Sequence, residues 1–157
     1  MPSRSDSLRP SPAALSFLLL VLLLPCTGPG NATAAESVSV EIGSVYASNE
    51  GASMDPVLGN IRGKLQSMFN YTSYKLLDRK RRSLAVGETG DFELPGRRTM
   101  RVTPVPAQGN KVRLSVQISE GAKNLLTTTL GLSRGGMVLV GGPSHQAGVL
   151  ILIISAE

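Results

Sequence analysis

Lys111-Val112-Arg113-Leu114-Ser115-Val116-Gln117-Ile118-Ser119 decides the fold class. Val112, Leu114, Val116 and Ile118 alternate with polar residues, so one face of the segment is apolar and the other wet, as in a half-buried strand. Downstream, a turn at 120–123 leads to an apolar stretch at 125–132, a second turn at 133–136, then 137–140 and a Gly142-Pro143 break. The chain closes on Val149-Leu150-Ile151-Leu152-Ile153-Ile154, which does not alternate at all. Such a run needs cover on both faces, so it is expected as a central strand beneath a helix or a second sheet.

Upstream, residues 37–42 alternate Val38, Val40 and Ile42 with polar partners and predict a first strand, extending through Val45 and Ala47. Asp55 before Pro56 marks a helix start, because Asp caps orphan amides and Pro suits the first helical turn. Apolar residues at 57 or 58, 61, 65 and 68 or 69 place one stripe on that helix, expected near 56–69. Residues 71–77 and 84–86 read as strand pieces around a basic segment, and 91–94 with 99–105 as a hairpin about Pro95-Gly96. Strands every eight to twelve residues, broken by Gly and Pro, predict a mainly β protein. The expected architecture is an antiparallel β-sandwich or small partly open barrel with one short helix packed on it.

The N-terminus sets the compartment. Arg4 and Arg9 precede an apolar run over 13–24, followed by helix breakers and Ala32-Thr33-Ala34, the small-x-small pattern of a cleavage site. Residues 1–35 therefore read as a signal peptide and 36–157 as a single β-rich domain, periplasmic or secreted and not an integral membrane protein once the leader is removed. Cys26 is the only cysteine, and Leu23-Leu24-Pro25-Cys26 loosely follows a lipobox, so lipid anchoring through Cys26 is the alternative. With the leader go Arg4, Arg9 and Asp6, which takes the formal charge from +5 to +4. No nucleic-acid partner is expected in that compartment, and aromatic residues, 4% of the chain with no Trp, supply few stacking platforms.

Arg79-Lys80-Arg81-Arg82 is the densest charge cluster. With Arg97, Arg98 and Arg101 it would make a basic face for an anionic glycan, a lipid or an acidic protein if the neighbouring strands pair. Its other reading is a solvated hairpin tip or a charged edge strand. His145, the only histidine, follows Ser144, but adjacent residues on an extended loop point apart and no orienting acid is in view, so it reads as a loop histidine. One histidine and no mature cysteine leave no zinc spacing, and Gly135-Gly136 and Gly141-Gly142 lack the lysine and helix of a phosphate loop. No catalytic residue, metal or cofactor is expected, and the chain reads as a non-enzyme.

Leu125-Leu126-Thr127-Thr128-Thr129-Leu130, followed by Ser133-Arg134-Gly135-Gly136-Met137-Val138-Leu139-Val140-Gly141-Gly142, resembles a short signature of bacterial secretins. There a threonine-rich strand leads through a glycine turn into a hydrophobic strand ending in two glycines. The arrangement of leader, short helix, Tyr71-Thr72-Ser73-Tyr74-Lys75-Leu76-Leu77 and this tail is also similar to small bacterial envelope proteins. Secretin subunits carry periplasmic domains and pore-forming hairpins without counterpart here. The resemblance implies a non-catalytic interaction module with a protein partner in the cell envelope, accessory to a secretin or pilus-type machine. The alternative is an envelope-binding module that uses Arg79, Lys80, Arg81, Arg82, Arg97 and Arg98 on anionic glycan or lipid.

Overall fold

A computed structural model describes residues 36–157. The leader and Cys26 readings fall outside them. The described residues form eight strands: β1 (Ser37–Ser48), β2 (Ser73–Ala85), β3 (Gly90–Leu94), β4 (Arg98–Val105), β5 (Lys111–Glu120), β6 (Lys123–Ser133), β7 (Gly136–His145) and β8 (Gly148–Ala156). They form two antiparallel four-stranded sheets, ordered β2-β1-β8-β7 and β3-β4-β5-β6. The fold is a mainly β sandwich, not a closed barrel.

Its core lies between the sheets. Val38, Val40 and Ile42 of β1 and Leu152 and Ile154 of β8 meet Met100 and Val102 of β4 and Val112, Leu114, Val116 and Ile118 of β5. The alternation over 111–119 therefore points its apolar face inward, as its pattern requires. A second core covers the outer face of the first sheet. Val45, Ala47, Ile151 and Ile153 lie beneath Leu58, Ile61 and Leu65, carried by a 3-10 turn at Pro56–Ile61 and the helix α1 (Arg62–Met68). β8 is thus buried on both faces, with Leu150, Ile151, Leu152 and Ile154 fully enclosed. Each such side chain contributes about 1.5–3 kcal/mol on burial.

Two local devices seat the helical cover. Asp55 accepts a hydrogen bond from the Val57 amide at 3.1 Å through Oδ1 and from the Leu76 amide at 3.3 Å through Oδ2, which ties the first turn to β2. On β2 the register with β1 slips by one residue, Ser44 facing Asp78 but Val45 facing Leu76. That bulge reverses which face alternate residues take. Leu84 consequently enters the inter-sheet core while Tyr74, ten positions earlier, enters the outer one. The Tyr74 hydroxyl then donates to the Phe69 carbonyl at 2.6 Å, satisfying a carbonyl at the end of α1.

Three expectations change. The basic segment does not interrupt strand structure, because β2 runs unbroken from Ser73 to Ala85. The helix is a 3-10 turn followed by seven α-helical residues, consistent with the low helix propensity of Gly59 and Gly63. His145 is the last residue of β7 and not a loop residue. The 133–136 turn carries the chain from one sheet to the other, so β6 and β7 lie in different sheets.

Candidate functional site

The six basic candidates are brought to three places. β2 is an edge strand, paired along its length with β1 and bridged on its other side only at Tyr74 by Met54, and Arg79, Lys80, Arg81 and Arg82 alternate between its faces. Arg79 and Arg81 share Glu41 of β1, at 3.6 Å and 2.9 Å. Lys80 and Arg82 instead reach toward the other sheet. The Lys80 ammonium donates to the Glu93 carbonyl of β3 at 2.9 Å and lies 3.0 Å from Asp78, while the Arg82 guanidinium sits 5.7 Å from the Phe92 ring centroid. The cluster guards one side of the sandwich, where charges on an edge oppose pairing with another chain, and two of its members strap β2 to β3.

Arg97 occupies the β3–β4 turn with a positive φ of 58°. Arg98, the first residue of β4, turns inward, its side chain only 12% exposed. Its Nη2 donates to the Ser144 carbonyl at 2.9 Å, and its Nε lies 3.4 Å from Glu120 Oε1. Arg98 therefore ties the tip of β7 to the other sheet. His145 stands edge-on to Tyr46, ring centroids 5.9 Å apart at 83°. Among the described residues, the buried side-chain polar atoms without a hydrogen-bond partner are Tyr46 Oη and Arg98 Nε and Nη1. A polar cluster at this end of the sandwich, joining Tyr46 to Arg98 through His145 and Ser144, was not foreseen.

The opposite side of the sandwich has a different character. β6 and β7 are the edges there, one in each sheet. Between Asn124 and Ala156 the single charged residue is Arg134, which pairs with Glu36. Leu126 and Leu130 of β6 and Val138 and Val140 of β7 turn toward the core but stay half-exposed. Each edge carries a bulge at its far end. On β6 the register with β5 slips between Ile118 and Ser119, leaving Leu125 over, and on β7 Gly142 and Pro143 together oppose Leu150. The bulges frame a cleft of about 230 Å³ lined by Ile118, Leu125, Leu126, Gly141, Gly142 and Pro143. Adjacent Leu125 and Leu126 both line it because the bulge cancels the alternation that would separate them.

No protein-family model matches the chain, and no curated protein matches it. Among solved structures it is similar to the T2SS secretin XcpQ from Pseudomonas aeruginosa, seen by cryo-EM, with a TM-score of 0.34 and 10% identity over 76% of this chain. The match spans 55% of that secretin chain, about half its length.

The unguarded edges could have been found in part from sequence, since the absence of charge over 124–133 and 135–148 is legible there. What the sequence does not show is that these two stretches are the edges of their sheets.

Proposed function

We propose that the protein is a non-catalytic interaction module of the periplasmic or secreted compartment, whose β6 edge accepts an extended segment of a protein partner, and that it serves a secretin or pilus-type envelope machine. The observation that supports strand acceptance is the contrast between the two sides of the sandwich. Exposed edges are usually blunted by charge, as β2 is by Arg79, Lys80, Arg81 and Arg82. β6 offers a regular, uncharged run over 126–133, with Thr127 and Thr129 exposed and Leu126 and Leu130 half-covered. Main-chain hydrogen bonds to such an edge supply affinity, and alternate side chains supply specificity. β6 is preferred to β7 because Pro143 interrupts the β7 edge and removes a donor. Compartment and machine rest on residues 1–35 and on the secretin-like signature at 125–142.

The test places a photocrosslinking residue in turn at Thr127, Thr129 and Arg81, in protein expressed in its native host. Crosslinks from the two threonines to one discrete partner, retained in high salt and lost on Thr128→Pro, support the reading. Crosslinks confined to Arg81 and dispersed by salt would instead favour the anionic glycan or lipid alternative.

A further inference from the structure

Among the described residues nothing pairs with the outer edge of β6, and β7 shares its exposure. The chain leaves β6 at Ser133 and enters β7 at Gly136, and Leu126 lines the cleft with Gly141, Gly142 and Pro143, so β7 runs back over β6 in the other sheet. Leu126 and Leu130 on one strand and Val138 and Val140 on the other turn toward the core yet stay half-exposed along this side. A lone strand added to β6 would extend one sheet and cover the leucines, but the valines belong to the other sheet. A second sandwich arriving edge to edge covers both.

The sequence of the edge also suits a copy of itself. Leu126-Thr127-Thr128-Thr129-Leu130 reads the same in both directions. A two-fold interface sets residue i against j and j against i, and so needs this kind of self-complementarity. With the axis through Thr128, antiparallel pairing places Leu126 opposite Leu130 of the other copy, Thr127 opposite Thr129, and Thr128 opposite itself. Inward-facing residues then meet inward-facing ones, and the two inter-sheet cores become continuous. Centring the axis on Thr127 or Thr129 would instead set a leucine against Thr128. The bulge at Leu125 lies outside 126–130, so the ladder there is regular. Charge does not oppose this register, since Lys123 falls near Ser133 of the copy and Arg134 is held by Glu36. Pairing would also close an edge that carries none of the usual charged protection. We infer that a second copy of this chain takes the β6 edge when no other segment holds it, in an antiparallel two-fold pairing centred on Thr128. The inference rests on the edge reading and names an occupant for it.

The test follows mass against concentration for the purified protein by sedimentation, from micromolar to millimolar, with hydrogen exchange run at both ends of the range. The expected result is a monomer–dimer equilibrium in which the 126–133 amides gain protection as dimer forms. Two double substitutions read the register, at positions whose side chains are exposed. Thr127→Lys with Thr129→Lys sets like charges opposite each other twice and should weaken dimerisation about tenfold. Thr127→Lys with Thr129→Glu sets opposite charges there and should dimerise within about threefold of the unaltered protein. A dimer that treats the two variants alike, or one protected elsewhere than β6, overturns the inference. A monomer throughout overturns it as well, and the edge reading then stands only if crosslinks from Thr127 and Thr129 reach another protein. With neither dimer nor crosslinks at β6, both fall. Mass and protection of the unaltered protein decide the matter even if a variant fails to fold.

Discussion

Truncating β8 on one face at a time should separate the two cores. Ile154 is fully buried between the sheets and Ile151 is fully buried beneath Leu58 and Leu65. Replacing either by alanine removes three carbons, and at about 0.8 kcal/mol per buried carbon the lost transfer energy is roughly 2.4 kcal/mol. Partial relaxation leaves a cavity whose cost, about 24 cal/mol per Å³, raises the total to about 3–5 kcal/mol. The two variants should therefore lose similar stability in urea but differ in where they loosen. Ile151→Ala should weaken exchange protection first over Pro56–Ile61 and α1, and Ile154→Ala over β4 and β5. The assay is equilibrium urea unfolding paired with hydrogen exchange resolved by segment. A loss below about 1 kcal/mol for Ile151→Ala, or unchanged protection of α1 in that variant, would refute the claim that β8 is enclosed on both faces.

Three further outcomes are expected. Gly148→Ala should cost at least about 3 kcal/mol in thermal or urea unfolding, because a Cβ there would stand 2.0 Å from the Ala47 carbonyl oxygen on the neighbouring strand. A near-neutral result would mean that β1 and β8 do not approach as described. Tyr74→Phe removes the hydroxyl from the Phe69 carbonyl and should cost about 1 kcal/mol, with fraying of α1 visible by exchange. If Lys80 and Arg82 strap β2 to β3, Arg82→Ala should destabilise by about 0.5–1 kcal/mol through loss of the Phe92 contact. Arg79→Ala should leave stability within about 0.5 kcal/mol, its ion pair with Glu41 being a surface one. Equal effects of the two substitutions would contradict the division of the cluster between faces.

Much of the sandwich was legible because its clearest strands obey simple rules. β5 alternates from end to end, and the unbroken apolar run of β8 implies the double burial that it receives. β2 was harder to read. Its four consecutive basic residues hide the alternation, and the bulge beside Leu77 shifts its phase, so Tyr74 and Leu84 do not belong to one periodic pattern. The basic candidates do not gather on one face for a related reason. Proximity in sequence along a strand sends neighbours to opposite faces, and Arg98, which looks like a companion of Arg97, turns into the protein to meet Ser144 and Glu120. The cluster of Tyr46, Arg98 and His145 has no local signature, since its members come from β1, β4 and β7 and meet only through packing. Strand order is equally silent, and with it the identity of the open edges, although the missing charges of 124–133 mark one of them in retrospect.

The most direct measurement of the proposed strand acceptance is hydrogen exchange on the protein alone and in complex with a protein recovered with it at high salt from its host cells. Slowed exchange concentrated in β6 over 126–133, with little change at Arg79, Lys80, Arg81 and Arg82, is the predicted result. Protection centred on β2 with β6 unchanged, and a complex that dissolves as salt is raised, would contradict it.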